Sequence, residues 1–170
     1  MGKRCDNPAF WGKAGSGILF VANDDTALLT KRSPYVMQPN TWGVPGGAVG
    51  GTEGFYRSER AKKFKFTVKA AWNSAVRETE EELGYFPESY TPLGMTTFEE
   101  GAFVFVTFVL GVDAIEKERM NQNMSLDEHE ATEATWVPMR KLLSYKADKF
   151  LESSLHFGLK FSLDMIAKGL

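Results

Sequence analysis

Arg77-Glu78-Thr79-Glu80-Glu81-Glu82-Leu83-Gly84-Tyr85 is the stretch on which the reading of this chain turns. It closes a segment, about Val68 to Leu83, in which Trp72, Ala75, Val76, Thr79 and Leu83 recur at helical spacing and form one apolar stripe. Gly84 follows where a helix-ending glycine belongs, so a central helix is expected. At 100° per residue, Glu78, Glu81 and Glu82 fall within about a 100° arc, because positions i, i+3 and i+4 share a face. That arc is centred about 120° from the apolar stripe, so the three carboxylates are expected to flank the core and not enter it. Like charges at these spacings each destabilise a helix by about 0.2–0.5 kcal/mol. A solvated face intersperses lysines, and this one offers only Arg77. A divalent cation turns the repulsion into a binding site, and carboxylate oxygens without His or Cys suit Mg²⁺ or Mn²⁺ better than Zn²⁺. Taken alone, the helix is equally consistent with an acidic surface.

Outward from the helix the pattern is mostly strand. Gly17 to Ala22 reads as a buried strand and Asn23-Asp24-Asp25 as a turn. Thr26 to Arg32 is then the second arm of a hairpin. Ser33 to Asn40 is a loop broken by Pro34 and Pro39, and Trp42-Gly43-Val44-Pro45 leads into a glycine cluster, Gly46 to Gly54, whose simplest reading is a flexible turn. Tyr56 to Lys69 is basic, with six Lys and Arg against Glu59. Beyond the helix, Tyr90 to Phe98 and Ala102 to Val112 read as strands joined through Glu99-Glu100-Gly101. Met120 to Glu130 reads as a polar loop, Ala134 to Met139 as a short strand, and about 149–167 as a closing amphipathic helix. Strands on both sides of one helix, with a terminal helix, predict an α/β fold, an α/β/α sandwich with a mixed β-sheet.

The glycine cluster does not match a phosphate-binding P-loop, because no Lys-Ser/Thr pair follows at the needed spacing. Taken with Arg77 to Tyr85, however, it resembles the Nudix box, G-x5-E-x7-R-E-U-x-E-E-x-G-U with U a bulky apolar residue. Gly47-x5-Glu53 matches the first part, and Arg77-Glu78-Thr79-x-Glu81-Glu82-x-Gly84-Tyr85 matches the second at every spacing, with Thr79 and Tyr85 as soft fits to U. Leu28 to Arg32, Thr41 to Gly47 and Glu133 to Pro138 look like the family's flanking strands, so the resemblance covers about Gly17 to Leu143. One departure stands out: 23 residues lie between Glu53 and Arg77 where the pattern has seven, and Lys69 occupies the position of the acid. The expected account is an insertion of about 54–67 with the helix intact.

The resemblance implies a metal-dependent nucleoside diphosphate-X pyrophosphohydrolase. Carried over residue by residue, Glu78, Glu81, Glu82 and the main-chain carbonyl of Gly47 would hold Mg²⁺ or Mn²⁺. Arg77 would clamp the loop through Glu53, or else simply pair with Glu81. The general base would be a box glutamate or a carboxylate from Asp127-Glu128-His129-Glu130, with Glu128 and Glu130 as candidates, although such residues are commonly just solvated. Arg32, Arg57 and Lys63 are candidate substrate contacts, the last two either on a lid over the substrate or on a solvated loop. Phe10, Trp11 and Tyr35 offer rings to stack a base, but aromatic residues near a first strand are more often core. His129 and His156 lack zinc-motif spacing. The expected partner is a small-molecule nucleotide: a nucleoside triphosphate, nucleotide sugar, ADP-ribose or dinucleoside polyphosphate, with nucleic acid limited to capped RNA. A nucleotide-sensing module without catalysis is the alternative.

Composition narrows the class further. The 170 residues are 43% hydrophobic and 25% charged with a net charge of −2, a balance that argues against wholesale disorder and against a general nucleic-acid binder. A chain of this length forms one domain on average, burying roughly 70% of its unfolded surface. Cys5 is the only cysteine, which rules out an internal disulfide framework. The longest apolar run, Ala102 to Val112, is too short for a membrane span, and the first residues lack a secretory apolar region. A single cytoplasmic domain, monomeric or homodimeric, is expected.

Overall fold

In the computed structural model of the protein, which describes residues 14–36, 38–49, 55–58, 63–101 and 103–144, the apolar run ending at Ala22 becomes the middle of a sheet. This strand, β1 (Ala14–Ala22), is buried at all nine positions, as a strand covered on both faces should be. It turns at Asn23–Asp25 into β2 (Thr26–Arg32). The two pair only at Val21↔Ala27 and Ala22↔Thr26, and then part. Into the gap goes the glycine-rich segment: β3 (Trp42–Gly43) pairs with β2 at Thr30 and Lys31, and β4 (Gly46–Ala48) pairs with β1 at Gly15 to Gly17. Between them the Pro45 carbonyl accepts from the Ile18 N–H at 3.0 Å. The start of the glycine cluster is therefore a strand and not a flexible turn.

The basic segment contributes a separate two-stranded hairpin, β5 (Phe55–Ser58) and β6 (Lys63–Phe66), antiparallel with Arg57 opposite Phe64 and Ser58 opposite Lys63. Helix α1 (Val68–Leu83) follows at once, capped by the Thr67 hydroxyl, which accepts from the Ala70 N–H, and ended by Gly84 at φ 67°. After it come β7 (Thr91–Glu100) and β8 (Phe103–Val112), antiparallel to each other, with β8 parallel to β1 along its whole length. Helix α2 (Ala114–Asn123) leads to β9 (Ala131–Pro138) on the far side of β2 and to a 3₁₀ helix, Met139–Ser144. The result is a seven-stranded mixed sheet in the order β3-β2-β1-β8-β7, with β4 on β1 and β9 on β2.

Alternation along the strands sorts the core into two halves. Ile18, Phe20 and Ala22 meet Ala71, Ala75 and Leu83 of α1 and Met120 of α2. Leu19 and Val21 face the opposite way, toward Val44, Val137, Met139 and Leu142. The mixed-sheet α/β fold expected from the sequence is thus present; the anticipated closing helix at 149–167 lies outside the described residues. One element departs from expectation: the last turn of α2, from Met120 to Asn123, lies where a polar loop was anticipated, and no helix was expected before it. Only Glu116 and Met120 of this helix are buried, so its apolar stripe is a single residue and leaves no periodic signal. Its anchorage is polar instead. The Lys117 ammonium lies 2.6 Å from Asp24, 2.9 Å from the Thr26 hydroxyl and 4.9 Å from the centre of the Trp136 ring.

Gly46 has no room for a side chain, since a Cβ there would stand 2.4 Å from the Ser16 carbonyl oxygen and 2.6 Å from the Gly17 Cα, both backbone atoms that cannot swing away. Gly46→Ala is expected to destabilise the fold by about 3 kcal/mol, read as a lowered urea midpoint; an unchanged midpoint would show that β4 can leave β1 without cost.

Candidate active site

Ala71, Ser74, Ala75, Thr79, Glu82 and Leu83 are the buried residues of α1. This face is centred about 60° round the axis from the stripe read in the sequence, on the glutamate side. Glu82, expected to flank the core, is only 6% exposed. The reason is the wedge between β1 and β2. The Gly46 N–H donates to Glu82 Oε2 at 3.1 Å, and a backbone without side chains lets the helix come that close. Glu78, one turn earlier, lies against the next glycine: a Cβ on Gly47 would be 2.6 Å from the Glu78 carboxyl carbon. Arg77 reaches the Ala48 carbonyl at 3.4 Å and Glu78 at 3.0 Å. The anticipated clamp through Glu53 lies outside the described residues. Glu80 and Glu81 are exposed.

A second wall comes from the loop after α2. The Ser125 and Asp127 N–H groups donate to the Leu83 and Glu82 carbonyls at 2.8 and 2.9 Å, satisfying the end of α1. The loop then turns on Asp127, whose carbonyl accepts from Glu130 and Ala131, and is tied to β2 where the Ser33 N–H donates to the Glu130 carbonyl at 2.9 Å. Glu130, half-buried, thereby comes within electrostatic reach of Glu78, Glu81, Glu82 and Arg32. Glu128 is exposed, so burial and charge single out Glu130 of the two candidates. Arg32, at the end of β2, faces the acidic cluster, whereas Arg57 and Lys63 sit in the hairpin at adjacent register positions. Thr30 was not anticipated; its hydroxyl, which donates to the Gly43 carbonyl at 3.5 Å, also favours the ionised form of Glu82, and a threonine inside an apolar strand gives no signal of that role.

Charge repulsion and burial push the carboxylates the same way. Burial raises Glu82 to about 7, against the Gly46 amide, Arg32 and the Thr30 hydroxyl, which lower it. Glu78 is raised by burial first, then by Glu81 and Glu130, with Arg77 opposing. Glu130 is raised by burial, Asp127 and Glu81, with Arg32 opposing. Three acids with raised pKa values on one short wall are a pattern of functional sites.

A sequence profile of the NUDIX domain matches residues 13–156. The chain belongs to the NUDIX family. A curated relative, a nucleoside triphosphate pyrophosphatase/Nudix hydrolase fusion protein of Bifidobacterium longum (strain NCC 2705), is 27% identical over 146 residues, covering 79% of this chain. This NUDIX chain spans about a quarter of that relative's length, 26%. Among solved structures, a C. elegans Ap4A hydrolase binary complex superposes with a TM-score of 0.59 at 17% identity, covering 92% of this chain and 98% of that one. A MutT protein from Methanosarcina mazei Go1 superposes at 0.58 with 18% identity, covering 89% and 94%. These likenesses establish the NUDIX fold.

Nudix hydrolases generally use divalent metals, and the donor set here fits in its chemistry: hard carboxylate oxygens that repel one another, with Arg77 and Arg32 as the cations acting on Glu78, Glu82 and Glu130 among the described residues. Gly47 lacks the Cβ that would stand 2.6 Å from the Glu78 carboxyl carbon, so backbone and carboxylate lie side by side. Among the described residues, no three acidic side chains already enclose one point, so gathering them round an ion requires side-chain rotation. No described helix is long and apolar enough to cross a membrane.

The raised pKa of Glu82 fixes the sign of a pH effect. The folded metal-free protein holds this proton up to about pH 7, whereas an ordinary glutamate releases it near 4.5. The contribution is complete below 4.5 and is lost as pH rises toward 7, on the order of 3 kcal/mol in all. Urea unfolding with a chelator present should therefore show stability falling from pH 4.5 to 7.5, with a much flatter slope in Glu82→Gln. A wild-type stability that climbs across this window would mean Glu82 is ionised when buried.

Proposed function

We propose that this chain is a metal-dependent pyrophosphohydrolase that cleaves the diphosphate linkage of a nucleoside diphosphate joined to another moiety, using Mg²⁺ or Mn²⁺. The observation that carries the reading is the buried Glu82 carboxylate held by the Gly46 amide, with Glu78 against Gly47 beside it. Membership of the NUDIX family, and a curated relative whose name includes a nucleoside triphosphate pyrophosphatase and a Nudix hydrolase, support the same class. Its candidate substrates are nucleoside triphosphates, nucleotide sugars, ADP-ribose and dinucleoside polyphosphates.

In this reading Glu78, Glu81, Glu82 and the Gly47 carbonyl hold the cation. When bound, a divalent cation cancels charge on the diphosphate oxygens and acidifies water. Glu130 accepts the proton from the attacking water; its carboxylate is half-buried, and its raised pKa brings it closer to working pH. The water oxygen bonds to phosphorus, the bridging P–O bond breaks, and the departing phosphate carries away the electron pair. Arg77 steadies the β4 backbone, and Arg32, Arg57 and Lys63 meet the phosphates of the substrate. Glycine at position 47 matters because it leaves the Glu78 carboxylate its place.

Turnover of a nucleotide panel should require Mg²⁺ or Mn²⁺ and fall by roughly two to three orders of magnitude in Glu82→Gln. Glu130→Gln should lower kcat by about a hundredfold or more. Turnover that survives in Glu82→Gln would place the chemistry elsewhere, and nucleotide binding without turnover would make the domain a sensor. Gly47→Ala, where the atoms nearest the new methyl all belong to the flexible Glu78 side chain, should keep the wild-type melting temperature within about 2 °C yet lose most activity. Full activity in that variant would free Glu78 from the site.

A further inference from the structure

Among the exposed large hydrophobic side chains of the described residues are two tyrosines, Tyr35 at 74% and Tyr90 at 37%. Tyr35, expected in the core, stands clear of it, whereas Tyr90 lines a cavity of about 330 Å³. The parallel strands β1 and β8 end there side by side, with Ala22 level with Val112. Beyond that level they part: β1 turns at Asn23 toward β2, and β8 runs through Asp113 into α2. On the other side of β8, the β7 ladder shifts register between Pro92 and Gly94. Gly111 adds no side chain to the floor, where a Cβ would stand 3.3 Å from Leu93 Cδ1.

This cavity is separate from the acidic cluster. Gly46 and Gly47 pair with Gly17 and Ser16 near the start of β1. Ala22 lies five residues beyond Gly17, about 16 Å further along the strand. The volume falls at the lower end of the range of small-molecule sites, roughly 300–1,000 Å³.

The chemistry of the lining decides what fits. Val21, Leu93 and Val112 make the floor apolar, and the Tyr90 ring forms a wall. That ring is braced by Trp72, at 5.9 Å with planes inclined by 45°, and by Phe86, at 5.8 Å and 87°. Asp113 is the only charged residue of the lining, and no Lys, Arg or His joins it. Its carboxylate accepts from the Glu116 N–H at 2.8 Å, which leaves further lone pairs for a ligand. The α2 cations Lys117 and Arg119 are paired, with Asp24 and with Glu88 and Glu116. A phosphate or carboxylate in the cavity therefore meets only like charge. An ammonium group gains from Asp113, and a flat apolar body gains from the Tyr90 ring and the floor.

We infer that this cavity binds a small aromatic amine, its ammonium toward Asp113 and its ring against Tyr90. No residue of the cavity belongs to the acidic cluster, so the hydrolase reading can fail without touching this site.

Calorimetry in the presence of Mg²⁺ tests it with probes that share one ring: 2-phenylethylamine, 2-phenylethanol and phenylacetate. The amine should bind roughly tenfold tighter than the alcohol, and phenylacetate should not bind. Asp113→Asn, whose side chain still caps α2, should keep the melting temperature, weaken the amine roughly tenfold and leave the alcohol unchanged. Glu82→Gln should bind all the probes like the wild type. A wild type that binds no amine, phenylacetate as tight as the amine, or amine binding unchanged in Asp113→Asn overturns the site. Amine binding lost in Glu82→Gln overturns it too, because the amine then sits at the acidic cluster.

Discussion

An amide hydrogen bond from Gly46 to the buried carboxylate of Glu82 ties the glycine strand to the helix of the candidate site. Burying a carboxylate costs several kcal/mol unless hydrogen bonds and charge offset it. Here the Gly46 amide, the Thr30 hydroxyl and the Arg32 charge offset part of the cost, and protonation absorbs much of the rest. The contact exists only because β1 and β2 separate after two residue pairs and admit the strip Trp42 to Ala48. A helix carboxylate then has bare backbone to meet, and its neighbour Glu78 finds the same bareness at Gly47.

Around that contact the chain closes its ring with backbone bonds more than with ion pairs. The end of α1 is capped by Ser125 and Asp127, and the same loop is tied to Ser33. One run of residues therefore satisfies the helix carbonyls and delivers Glu130 to Glu82. Tyr85 and Glu116 reinforce the arrangement from the side: the tyrosine hydroxyl donates to the buried Glu116 carboxylate at 2.7 Å, which links α2 to the residue after Gly84. With the helix end fixed from two directions, the acidic wall keeps its place despite repulsion among its members.

The long segment between the glycine strand and α1 leaves this framework untouched. It is taken up by a hairpin in a sheet of its own, and loop length adds to closure entropy only logarithmically. What holds α1 in register is the burial of Ala71, Ala75, Thr79 and Leu83 and the Glu82 contact, none of which depends on how the chain reaches Thr67.

Period and spacing, both local properties, were legible from the sequence alone. The alternating and continuous apolar runs marked β1, β2, β7, β8 and β9 closely, because a strand's burial follows its own residues. The residues Arg77 to Tyr85 resembled the Nudix box, and the 100° turn per residue put Glu78, Glu81 and Glu82 on one arc wherever the helix sits. What the sequence left open was decided by contacts between distant segments. Glu82 became a core residue because a glycine strip 36 positions earlier lies under it, and no helical projection contains that strip. Helix α2 escaped notice because it docks through Lys117 and Glu116, whose partners Asp24 and Tyr85 come from elsewhere. Glu130 was separated from Glu128, and Tyr35 from the core, by a loop tie through Ser33 that only the folded chain makes. Residue type and spacing determined which chemistry was available; the tertiary structure decided which carboxylates share one low-dielectric wall, since burial and charge coupling depend on distance in space.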